Sequence, residues 1–169
     1  TREPGGSAGA EAIRALLLHD QDWTAEAEAL LFAAARADHV ARTIKPALRA
    51  GKWVISDRFL DSSIAYQGGA GGVGFDTIRQ LHEIGSHGFM PDRTLLLRLD
   101  EAEASRRAAR RDVEGADLIG GRDMDYHSAV ASAFDRLAAE EPQRYRVVDA
   151  SGSAAEVTAR LLAELEDLL

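Results

Sequence analysis

The chain has no cysteine, and Lys45 and Lys52 are its only lysines. Without thiols there is neither a disulfide framework nor a thiolate metal site. No apolar run approaches the roughly 18 residues that a bilayer-spanning helix requires, and the front of the chain lacks a signal-peptide pattern. A cytoplasmic protein with no membrane partner is therefore expected. A formal net charge of −8 supplies no basic excess, which argues against nucleic acid as a partner. A Walker A phosphate loop is missing as well. The one Gly-Lys pair, Gly51-Lys52, runs into Trp53, and Pro46 stands where the loop's first glycine would be.

What is present suits one globular domain: 169 residues, 46% hydrophobic and 28% charged. Three short runs, Trp53–Asp57, Thr94–Asp100 and Tyr145–Asp149, are rich in β-branched residues or leucine, and each closes on an aspartate. Between them lie stretches of helical spacing: Ala8–Leu18, Thr24–Ala50 with a bend at Pro46, Asp76–Ser86, Glu101–Arg111, Asp125–Glu141 and Ser153–Leu169. Ser153 with Glu156 forms a capping box, and Asp100 with Glu103 a similar start signal. Alternating strands and helices predict an α/β fold with a parallel sheet, and chain direction places the three aspartates at its ligand-binding carboxyl edge.

Two motifs are near misses. Gly69-Ala70-Gly71-Gly72-Val73-Gly74 fits the dinucleotide pattern, but no strand leads directly into it, so a surface loop is expected. His82 and His87 lie five apart with Gly85 between them, whereas a zinc helix needs a spacing of four. Stronger evidence gathers at Asp57, where an apolar run ends in a carboxylate suited to Mg²⁺ and Arg58 follows as a phosphate clamp. An ordinary strand-end aspartate beside its neighbour is the plainer alternative. Phe32 and Arg36 share a helix face, where a ring can stack on a base and a guanidinium can read its edge; core packing plus a solvated charge is again the plainer alternative. The abundance of arginine fits phosphate binding or a GC-rich coding bias, and both can hold.

Several blocks, in order along nearly the whole chain, resemble thymidylate kinase of the bacterial type. They are Thr1-Arg2-Glu3-Pro4-Gly5-Gly6, Leu30-Leu31-Phe32-Ala33-Ala34-Ala35-Arg36, Ile44-Lys45-Pro46-Ala47-Leu48, Ser56–Gly68, Pro91-Asp92-Arg93-Thr94-Leu95 and Val148-Asp149-Ala150-Ser151. The resemblance implies a three-layer P-loop kinase fold over residues 1–169, with a lid at about 106–122. It also implies transfer of phosphate from ATP to dTMP with Mg²⁺, by a homodimer. Phe32 would stack on thymine, Arg36 would bond its edge, and Ser63 and Gln67 would complete base recognition. Tyr66 would lie under the deoxyribose, and Arg2 and Pro4 would border the acceptor phosphate and sugar. Arg58 would hold that phosphate, with Asp57 near the metal. Ala150, Ser151 and Gly152 would approach the ATP adenine, and Arg110, Arg111 or Arg122 would supply the lid arginine.

The chain departs from the family at Asp117-Leu118-Ile119-Gly120, where Asp-Arg-Ile-Glu is common. The family's first two strands and its P-loop would precede Thr1, so a longer native protein is expected. Another nucleoside monophosphate kinase, or an inactive nucleotide-binding or dimerisation module, is the alternative reading.

Overall fold

A computed structural model describes residues 1–18, 22–100, 103–104, 106–107 and 121–169. They fall into two compact units: residues 1–90 with 117–134, and residues 91–116 with 135–169.

The first unit is helical. Helix α1 covers Ala8–Leu18 and α2 covers Ala25–His39. Thr24 starts α2 by accepting the Ala27 N–H on its hydroxyl, as an N-cap should. The expected bend at Pro46 takes a particular form. A π-helical segment, Val40–Ile44, precedes α3 at Lys45–Arg49, and the Lys45 N–H bonds back to the Val40 carbonyl. Proline lacks an N–H and clashes with the carbonyl one turn back, and the wider π turn relieves both before Pro46 is reached. Helix α4, Leu60–Ser63, runs into a second π segment at Ile64–Ala70, and α5 follows at Phe75–Ser86.

Small residues let these helices approach closely. A Cβ added at Gly85 in α5 would sit 3.3 Å from the Ala37 Cβ on α2. A Cβ at Gly69 would lie 3.0 Å from Ala133, which belongs to helix α6, Met124–Glu140. The glycine run therefore begins as packing, where Ala65, Val130 and Ala133 are buried beneath Tyr66, Phe75, Tyr126 and Phe134. Ala10, Leu17, Ala29, Ala35, Val40, Ile44, Leu60, Ile64 and Ile78 are also buried in this unit.

The run Trp53–Asp57 does not form the expected strand. It makes one isolated parallel bridge, Arg2 with Asp57, through Asp57 N–H to the Thr1 carbonyl and Glu3 N–H to the Asp57 carbonyl. The Thr1 amino group also donates to the Ile55 carbonyl at 2.8 Å, but among the described residues the run forms no longer ladder, and Trp53 and Ile55 are exposed.

The second unit holds the sheet. Strands β1, Thr94–Arg98, and β2, Tyr145–Asp149, pair in parallel, with Thr94 opposite Tyr145 and Arg98 opposite Asp149. The parallel pair and its surrounding helices bear out the α/β expectation. Leu137, Tyr145, Val148 and Ala150 are buried. Helix α7, Ala154–Ala163, starts at the expected capping box and a short 3₁₀ turn follows at Glu166–Leu168. Asp100 also caps as expected, accepting the Glu103 N–H at 2.8 Å.

Candidate active site

One face of α2 organises the first unit. Glu28, Phe32 and Arg36 are four residues apart, so they line up along the helix. Arg36 is almost fully buried. Its Nε donates to Glu3 Oε2 at 2.8 Å, its Nη2 donates to Ser63 Oγ at 2.5 Å, and its guanidinium lies 5.7 Å from the Phe59 ring centre. The other Glu3 oxygen accepts from His39 Nδ1 at 3.1 Å; because a carboxylate only accepts, Nδ1 carries the proton. The Arg-Glu-Pro-Gly-Gly turn is thus tied by Glu3 to the last turn of α2 and, through Arg36, to the start of the 60–70 segment. Pro4 is buried in this turn and its carbonyl accepts from Arg14 Nη1 at 2.8 Å.

Two helical turns nearer the start of α2, Glu28 holds a second cluster. Gln67 Nε2 donates to Glu28 Oε1 at 2.8 Å, and Arg122 makes a short ion pair with Oε2. Arg122 also lies 4.5 Å over the Tyr126 ring, and the Tyr126 hydroxyl donates to the Tyr66 carbonyl at 3.0 Å. Burial raises the pKa of the Tyr126 phenol, which keeps that donor protonated. A cavity of about 160 Å³ opens here, lined by Trp23, Ala25, Glu28, Gln67, Gly71 and Arg122.

Arg58 is exposed and its φ is +68°, a left-handed conformation that side chains rarely adopt. Its carbonyl accepts from Ser56 Oγ at 2.8 Å, and its guanidinium lies 4.9 Å from the Tyr66 ring centre and 3.5 Å from Ser62 Oγ. Asp57 is exposed beside it. Arg2 is exposed and pairs with Glu11 at 3.2 Å. The Gly6 N–H first, and Arg2 after it, hold the Glu11 carboxyl below its ordinary pKa.

The structure therefore links Arg36 to Ser63, Arg58 to Tyr66, and Gln67 to Arg122 through Glu28, all within the first unit. The 160 Å³ cavity takes in Gln67 and Arg122 but not Phe32, Arg36, Asp57 or Arg58. Phe32 is half-buried on the same α2 face. Ala150, Ser151 and Gly152 belong to the second unit. There Ser151 bonds the Asp149 carboxylate through its N–H at 2.9 Å and its hydroxyl at 2.7 Å, while Arg160 donates to the Asp149 and Ser151 carbonyls. Arg110 and Arg111 lie outside the described residues.

Glu3, His39, Glu28 and Tyr126 were not foreseen. Glu28 carried a signal, since it sits one turn before Phe32 on a face already marked by Arg36. Among the described residues no three His, Asp or Glu side chains gather into a metal site. His82 is buried, with Nε2 donating to the Phe89 carbonyl at 2.8 Å and burial lowering its pKa, while His87 ends α5 with φ +55°. Those two histidines do not act as a ligand pair.

Comparison with known proteins matches this arrangement to a family. The family model for thymidylate kinase matches residues 1–161. A thymidylate kinase of Rhizorhabdus wittichii is 60% identical over all of this chain and 82% of its own length. One from Halorhodospira halophila is 46% identical over all of this chain and 79% of its own. The solved structure of thymidylate kinase from Ehrlichia chaffeensis superposes with a TM-score of 0.76 at 30% identity, covering 98% of this chain and 78% of that one. A chain that shares a family model over nearly its whole length, and the fold and sequence of several members, belongs to the thymidylate kinase family.

Proposed function

We propose that the chain transfers the terminal phosphoryl group of ATP to dTMP, giving dTDP and ADP, as a cytoplasmic homodimer. The observation that carries this reading is the meeting, in one compact unit of a thymidylate kinase family member, of Arg36 with Ser63 and of Arg58 with Tyr66. The thymine ring would stack on Phe32, with Arg36, Ser63 and Gln67 at its edge. Tyr66 would lie under the deoxyribose and disfavour a 2′-hydroxyl.

Arg58 would hold the acceptor phosphate, with Arg2 and Pro4 at its border. The strained backbone of Arg58 supports this role, because a side chain kept in the left-handed region costs about 1–3 kcal/mol and such strain clusters at functional sites. Aligning the two phosphates and gathering their charge supplies most of the catalysis in phosphoryl transfer. Mg²⁺ would neutralise developing charge on the transferring group. Asp57 fits such an ion: it is an exposed carboxylate, and Mg²⁺ is commonly held by one or two carboxylates with substrate phosphates and water. The turn Ala150-Ser151-Gly152 would meet the adenine. Arg122 is engaged at Glu28, which leaves Arg110 and Arg111 as the better candidates for the lid arginine.

Phosphorylation of dTMP, dUMP, dCMP and dGMP by the full-length protein, with ATP and Mg²⁺, tests the reading. It expects turnover of dTMP with dUMP next. Preference for any other base overturns it.

A further inference from the structure

We propose that Glu28 fixes the polarity of the Gln67 side-chain amide and so makes it select a base that donates at N3 over one that accepts there. This rests on the reading above, in which Gln67 faces the base. An ionised carboxylate has only acceptor sites, so the Gln67 atom 2.8 Å from Glu28 Oε1 must be the NH₂ end. The carbonyl oxygen is then the end left to a ligand. Thymine and uracil carry a proton on N3 and can donate to that oxygen. Cytosine presents a lone pair at N3, and acceptor would meet acceptor.

Turning the amide over would set its oxygen against the Glu28 carboxylate and lose a buried hydrogen bond, so the orientation is held before any ligand arrives. Arg122, on the second Glu28 oxygen and over the Tyr126 ring, supplies the counter-charge that lets a carboxylate stay at the cavity wall. Gln67 and Glu28 are both buried, at 3% and 8% exposure, and both line the cavity, so water offers the amide little freedom. Glu28 is a positioning residue: it acts on the base through Gln67.

The test is calorimetric titration of the full chain with dTMP, dUMP and dCMP, for the parent and for Glu28→Gln. A glutamine at position 28 can offer either end of its own amide, so Gln67 is free to turn. The expected result is a fall of about tenfold in the ratio of dTMP to dCMP affinity, with dUMP following dTMP. Glu28→Asp keeps an acceptor-only group and should retain more of the ratio. A ratio unchanged in Glu28→Gln, with all three affinities or the melting temperature lowered together, overturns the inference and leaves the base-recognition reading standing. A parent chain that fails to discriminate overturns both. Should Glu28→Gln unfold because Arg122 is stranded, Glu28→Gln with Arg122→Gln removes the lone cation and must show the same ratio change, or the inference fails.

Discussion

Two glutamates, one in each unit, hold two nitrogen-bearing side chains apiece and do opposite work. Glu3 takes Arg36 and His39 in the first unit, with the Glu3 and Arg36 side chains 4% and 2% exposed. Glu103 takes Arg106 and Arg107 in the second, with those arginines 62% and 46% exposed. The distances are alike, at 2.7–3.1 Å. Burial separates them, and so does reach: Glu3 bonds residues 33 and 36 positions away, Glu103 residues three and four away. A buried pair is ruinous to break, because the partner left behind is a charge without water; an exposed pair trades protein contacts for solvent at little cost. The first cluster therefore locks the opening turn against α2, and the second decorates a helix surface.

Breaking the Glu3 cluster should have the largest effect. Arg36→Met strands the Glu3 carboxylate and should cost about 3–5 kcal/mol in urea unfolding. A loss under about 1 kcal/mol would mean that the burial contrast does not govern stability. Arg58→Gly sharpens the comparison from the other side, since it removes an exposed arginine and also relieves a positive φ. Turnover of dTMP should fall about 100-fold while the melting temperature holds or rises, which separates a functional arginine from a structural one.

Ser153→Ala deletes the capping box of α7, where Ser153 Oγ accepts the Glu156 N–H, and should cost about 1 kcal/mol. Glu103→Gln should change least. Arg106 first, and then Arg107, hold the Glu103 carboxyl below its ordinary pKa of 4.5. A folded pKa below the unfolded one means that the pair's contribution is present above the unfolded value and is lost as pH falls through the folded one. Any difference between parent and Glu103→Gln should therefore shrink as pH drops below 4.5 and shrink again with added salt. A difference that grows on acidification would contradict the pairing.

Much of the fold was legible because local rules and tertiary packing agree there. Ala8–Leu18 is bounded as its periodicity predicts, and Thr24 and Ser153 cap where their side chains can reach an N–H. Thr94–Arg98 and Tyr145–Asp149 pair in parallel, as two β-branched or leucine-rich runs separated by a helix should. Trp53–Asp57 reads the same way, yet among the described residues it has only the Arg2–Asp57 bridge and the Thr1 bond to the Ile55 carbonyl, short of a strand. Composition reports the willingness of a segment to be a strand, and the neighbour decides.

The site divides along the same line. Arg36 and Arg58 could be singled out from spacing and local motif, and Ser63, Tyr66 and Gln67 from the family resemblance. That Arg36 is shared between Glu3 and Ser63, and Gln67 bound to Glu28, could not.

The sequence by itself settled which chemical groups this protein has to offer, where helix periodicity and capping, as properties of neighbouring residues, place its helices, and, through blocks in the order of a known family, which family it resembles. Only the tertiary structure decided how those groups are spent. Hydrogen-bond partners lie 33 residues apart for Arg36 and Glu3, and 39 for Gln67 and Glu28. Whether a polar atom faces a ligand or a buried carboxylate depends on which chain segments fold against each other.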